Sequence, residues 1–194
     1  MNQNLKRLII IAMLLSIAIV INYVESFIPV VVPGVRLGLA NVIILIMIYE
    51  FTFYEALIVD LLRIFVVSLI RGALFQPIFF MALVGGMASY LIMLLFSKLK
   101  PFSSVGVSAL GAVFHTFGQI ITLIVLTSTP EVINFVPVIG LLSLLTGILS
   151  GFICHTYLVR SITSNYVYVS TKYKERYVEK PKIENVINDK NIEK

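Results

Sequence analysis

Between Ala73 and Val159 only Lys98, Lys100 and Glu131 are formally charged, and the uncharged runs they separate are each long enough to cross a bilayer, which takes about 20 residues as a helix. This feature constrains the fold more than any other. The runs are apolar on all sides, with no period-2 alternation of the kind a membrane barrel shows. Water is therefore not the main solvent of this chain. The overall balance agrees: 59% of residues are hydrophobic, 13% are charged and the mean hydropathy is +1.00, against about one-half apolar and one-quarter charged in a soluble domain.

Taking uncharged stretches as helices predicts six spans: Leu8 to Val24, Leu37 to Tyr49, Tyr54 to Ile70, Gly72 to Ser97, Val105 to Ser128 and Val136 to Val159. The expected fold class is an all-α integral membrane protein of about six transmembrane helices. Lys6 and Arg7 precede the first run as in a secretory signal, but no small-residue cleavage site follows, so it is read as a retained helix. Lys6, Arg7, Lys98, Lys100 and Arg160 all fall on one side of a six-span topology. That side is expected to be cytoplasmic, with both termini there and the protein in the plasma membrane. Residues 1–160 form the expected membrane domain. Residues 161–194, with seven basic and five acidic side chains, read as an exposed cytoplasmic tail whose early Tyr/Lys/Arg-rich part could rest on anionic headgroups.

The single cysteine, Cys154, lies inside an apolar run and is read as a packing residue, with no disulfide framework or cysteine metal site. Neither a metal nor an organic cofactor is expected. The chain has two aspartates, Asp60 and Asp189, too few for an aspartate-rich motif holding Mg²⁺ against a diphosphate. It has no G-x-x-x-x-G-K-[ST] loop. Prenyl transfer and ATP hydrolysis thus need another chain, and no catalytic residue is assigned.

The polar residues inside the apolar runs are the candidate site. From Glu25 to Arg36 the connection contains Pro29, Pro33 and Gly34 and cannot be a continuous helix. Irregular backbone at this depth is either a structural re-entrant loop or a lid over a cavity. It leads into the shortest run, beginning Arg36-Leu-Gly-Leu-Ala-Asn41, and short or interrupted segments point to transport sites. Asp60 and Arg63 are neighbours on one face of the third run. They either neutralise each other as a helix lock or bind ligand. Arg36, Arg63 and Arg71 outnumber the nearby carboxylates, which favours an anionic ligand held by guanidinium groups. His115 and Gln119, four apart, make a polar stripe that suits either a cavity wall or interhelical hydrogen bonds. Ser143, Gly147 and Gly151 form a small-residue packing stripe, as do Gly85 and Ser89, while Ala12 and Ser16 are a weaker version or a docking surface for a partner subunit.

The blocks Asn22-Tyr-Val-Glu-Ser-Phe-Ile-Pro29, Pro33-Gly-Val-Arg-Leu-Gly-Leu-Ala-Asn41, Arg63, Gly85-Gly-Met-Ala-Ser89 and Gly106 to Gln119 resemble, in order, the family called heptaprenyl diphosphate synthase component I, also known as the Gx transporter family. The match covers about residues 8 to 160. The family is itself similar to the substrate-binding S components of energy-coupling-factor transporters. The resemblance implies an S-component-like six-helix bundle that captures a small ligand and docks on a transmembrane coupling subunit with ATPases. The family's name implies, alternatively, a noncatalytic membrane component working beside a soluble prenyl diphosphate synthase in menaquinone side-chain synthesis. Where the family pattern often has Asn after the histidine, this chain has Thr116. The expected partners are membrane lipid and one of these two assemblies, with no nucleic acid. A proton-coupled carrier acting alone would have only Asp60 and His115 as intramembrane titrating groups. The ligand contacts assigned are Arg36, Asn41, Asp60, Arg63, His115 and Gln119, beneath the Glu25 to Arg36 connection.

Overall fold

The computed structural model describes residues 3–28, 35–99 and 102–163. The expected tail falls almost wholly outside these residues, as do Pro29, Pro33 and Gly34 of the interrupted connection. Six α-helices succeed one another: α1 (Gln3–Glu25), α2 (Asn41–Glu50), α3 (Phe53–Ile70), α4 (Pro77–Ser97), α5 (Ser104–Thr127) and α6 (Val136–Thr163), with a 3-10 turn at Pro130–Phe135 leading into the last. No strand occurs among the described residues, and the fold is an all-α membrane bundle.

Helix starts obey local chemistry. Thr52 caps α3, and Glu55 returns its side chain to the Thr52 backbone in a capping box. Ser103 accepts the Gly106 N–H at the start of α5, and Pro77 opens α4, where a missing N–H costs nothing. Glu55 has a second role: Arg7 donates from Nε and Nη2 to its two carboxylate oxygens at 2.9 and 2.7 Å, tying the start of α1 to the start of α3. The arginine of α1 thus neutralises a turn that has no lysine of its own.

Four helical segments are long and apolar enough to cross a membrane: α1, α4, α5, and α6 with its leading 3-10 turn. Their outward faces carry large apolar side chains such as Leu8, Leu91, Ile121 and Phe152, each more than half exposed, as a lipid-facing surface requires. Of the two remaining helices, α3 matches its expected span to within one residue and α2 departs from it. α3, of 18 residues, carries Glu55, Asp60 and Arg63. α2 starts four residues later than expected and has only 10 residues, about 15 Å or half the hydrocarbon thickness.

The shortness of α2 has a structural reason. Ile44, Leu45 and Met47 are fully buried, and α2 touches every other α-helix of the bundle. A helix apolar on all sides is either a lipid span or a core element, and this one is the core. Cys154 packs in the same cluster with no exposed surface, in keeping with a packing role.

α4, α5 and α6 approach one another backbone to backbone. A Cβ on Gly118 of α5 would stand 3.0 Å from the Gly85 Cα of α4, and one on Gly151 of α6 would stand 2.5 Å from the Val105 Cα of α5. Gly147 meets Ala109 in the same way. The small-residue stripes are therefore helix contacts. Ala12 and Ser16 differ: both lie on the exposed side of α1, and the Ser16 hydroxyl donates to the Ala12 carbonyl of its own helix at 2.8 Å.

Candidate functional site: a buried polar network

The polar residues of the apolar runs converge on one place, where the end of α1, the segment before α2, and the middles of α3, α4 and α5 meet. Each of the six residues assigned as ligand contacts lies in this network, and each is at most 5% exposed.

Its first half is built on Arg36. The Gln119 side-chain amide pairs with both backbone groups of that residue: the Arg36 N–H donates to Oε1 at 2.8 Å and Nε2 donates to the Arg36 carbonyl at 3.0 Å. A side chain on α5 thus does what a neighbouring strand would do for an irregular segment, satisfying backbone that lipid cannot. The guanidinium is then aimed by Asn22, whose Oδ1 accepts from Nη1. Glu25, placed by sequence in the connection, is the last residue of α1. Its Oε1 accepts the N–H groups of Gly38 and Leu39. Gly38 has φ +85°, and a Cβ there would lie 2.9 Å from the Asn41 amide nitrogen and 3.4 Å from the His115 ring. Both the left-handed backbone and the space require glycine.

The second half is built on Arg63. Its Nε donates to Asp60 Oδ1 at 2.7 Å, within an ion pair that also brings Nη2 to 2.6 Å. The same Nη2 donates to Asn41 Oδ1 at 2.7 Å, and Asn41 Nδ2 donates to Ser89 Oγ at 2.9 Å. Asp60 and Arg63 therefore pair with each other, and the pair is tied through Asn41 to α2 and α4. Arginines and carboxylates within the network are equal in number, Arg36 and Arg63 against Glu25 and Asp60. Arg71 stands at the exposed C-cap of α3, so the excess of positive charge lies at the rim and not inside.

Between the halves is a small cavity bordered by Asn22, Glu25, Arg36, Gly38, Arg63 and His115, with Ile64 and Ala82 as apolar walls. The space between atoms is ≈220 Å³, of which ≈10 Å³ is open to the centre of a water molecule, room for about one water. Two nitrogens of the bordering residues, Arg36 Nη2 and His115 Nδ1, are buried without a hydrogen-bond partner among the described residues, as is Asp60 Oδ2, which belongs to a residue outside the cavity lining.

Sequence reading missed Asn22 and misjudged Ser89. Asn22 stands alone near the end of the first apolar run, and a lone amide there is a signal of its own. Ser89, read as a packing residue, also accepts from Asn41. His155 of α6 reaches Ser104 Oγ at the start of α5, at 3.5 Å, and takes no part in the network.

The family model described as heptaprenyl diphosphate synthase component I matches residues 14–157. No curated protein and no solved structure matches the chain.

Proposed function

Because the chain belongs to the heptaprenyl diphosphate synthase component I family, we propose that it is the noncatalytic membrane component of a two-part prenyl diphosphate synthase. The observation that carries this reading is the reach of the match, which runs from the middle of α1 to near the end of α6 and so takes in part or all of every helix of the bundle. The chemistry gives the arrangement a purpose. Each buried CH₂ of a growing prenyl chain favours an apolar medium by about 0.8 kcal/mol, so a long product belongs in the bilayer. A catalytic subunit held at the membrane releases that product where it is soluble. Chain elongation is assigned to the partner: Asp60 is committed to Arg63 within the bundle, and Asp189 is the one other aspartate of the sequence, whereas Mg²⁺ and diphosphate call for an aspartate-rich cluster.

A gentle-detergent pull-down of the tagged full chain from its native membrane tests this. Recovery of a soluble prenyl diphosphate synthase is expected. Recovery of a transmembrane coupling subunit with ATPases, and no synthase, would overturn it.

That second outcome belongs to a second reading, a ligand-capture subunit of an energy-coupling-factor-type transporter. The cavity favours it, since Arg36 and His115 both border it and each has a buried nitrogen, Nη2 and Nδ1, without a partner among the described residues. In this reading Arg36, Asn41, Asp60, Arg63, His115 and Gln119 form the site, and the small-residue face of Ala12 and Ser16 on α1 is the docking surface.

A further inference from the structure

We propose that the cavity between Arg36 and Arg63 holds a single monatomic anion, of the halide type, as the counter-ion of the buried Arg36 guanidinium. The inference concerns how the bundle carries its own charge, and it holds whether the chain assists a synthase or captures a ligand.

The first argument is a buried cation without a direct counter-charge. Arg36 is 5% exposed, and its guanidinium has one hydrogen-bond partner among the described residues, the neutral amide oxygen of Asn22. Its Nη2 is buried without a partner among them. Arg63 is the contrast, since it meets Asp60 directly. Glu25, the one carboxylate bordering the cavity, spends its Oε1 on the Gly38 and Leu39 N–H groups rather than on Arg36. Arg71, at the rim, weighs more on Arg36 than Glu25 does. A buried charge is ordinarily paired, because an uncompensated one is costly at membrane depth.

The second argument is the make-up of the lining. It sets two cations, Arg36 and Arg63, against Glu25 alone, with Asp60 outside it. With the rim counted, Arg36, Arg63 and Arg71 stand against Glu25 and Asp60. One negative charge restores the balance in both counts. A water molecule fills the space and leaves the surplus.

The third argument is size. The space open to the centre of a water molecule is ≈10 Å³, room for about one water. Chloride is only a little larger than water. A carboxylate or a phosphate brings several heavy atoms and does not fit. Charge therefore selects an anion, and room selects a monatomic one.

The test uses the purified full-length protein in detergent. Sodium chloride or sodium bromide is exchanged for sodium gluconate at constant ionic strength while thermal unfolding is followed, gluconate being too bulky for the cavity. The unfolding midpoint is expected to rise and then saturate as halide replaces gluconate, as binding to the folded state alone requires. The protein is also expected to broaden the chloride NMR line until bromide displaces the ion. Ala82→Val adds bulk to the cavity wall, and Arg36→Met removes the charge while its backbone keeps the bonds to Gln119. Each is expected to lose the saturating rise. If neither folds, the anion series on the unaltered protein still decides. Equal midpoints in halide and gluconate would overturn the proposal and leave the cavity to water. A rise that never saturates would overturn it as well, being a general effect of salt on the protein surface.

Discussion

At the scale of single residues the network is a set of obligations. Arg63 shows this most clearly: it is 2% exposed and holds Asp60 and Asn41 at once. Removing one member of a buried pair strands the other charge, which costs about 3–5 kcal/mol, whereas replacing both with apolar side chains of similar volume is often close to neutral. Asp60→Leu alone is therefore expected to destabilise the protein by about 3–5 kcal/mol, and Asp60→Leu with Arg63→Met by clearly less. Reversible unfolding in mixed micelles measures both, and a double variant as unstable as the sum of its singles would refute the coupling. Gln119 makes a separate commitment. Gln119→Leu leaves the N–H and carbonyl of Arg36 without their partner, a loss of about 2–4 kcal/mol at one or two per orphaned group. The same unfolding measurement reads it, and a loss under about 1 kcal/mol would mean that water replaces the amide.

Among the elements, α4, α5 and α6 are held by close backbone approach while α2 is held by being surrounded. The glycines of α6 separate these effects. Gly151 has the α5 backbone against the position a Cβ would take, whereas Gly140 has nothing within 4 Å. Gly151→Ala is expected to cost about 1–3 kcal/mol through forced separation of α5 and α6. Gly140→Ala is expected to stabilise by about 0.4–1 kcal/mol, since alanine narrows the unfolded ensemble at no steric cost. Thermal unfolding of the two variants side by side checks the sign of each, and equal effects would contradict the packing described. These elements were legible in sequence to different degrees. α1, α4, α5 and α6 were evident because an uncharged run of lipid length admits few structures. The extent of α2 was not, because an uncharged run reports its surroundings and not its backbone: Leu37 to Ala40 is nearly as apolar as α2 itself, yet Gly38 turns there and the helix starts at Asn41. In the site, Arg36, Asp60, Arg63, His115 and Gln119 were conspicuous as polar residues in apolar runs. Spacing could not show that Glu25 holds the Gly38 and Leu39 N–H groups, or that arginines and carboxylates balance within the network. Both depend on segments brought together by the fold.

For the whole molecule the network divides the bundle into unlike ends. Arg7 and Glu55 meet at one end, where Lys98 closes α4, and the C-terminus of α1 at Glu25, the 3-10 turn and Glu131 lie at the other, since α1 enters from the first and α5 leaves toward the second. We propose that the basic end faces the cytoplasm, where a soluble synthase would dock, with the polar cavity displaced from that end toward the Glu25 end of α1. Association with the synthase and occupation of the cavity are then separable properties of one chain. Cysteine labelling tests the assignment with little background, because the only native thiol, Cys154, is fully buried and out of reach of a maleimide in the folded bundle. In intact cells an impermeant maleimide should label Glu131→Cys and leave Lys98→Cys unlabelled until the membrane is opened. The reverse pattern would invert the topology and place the cavity on the synthase side, where the partner could gate it directly.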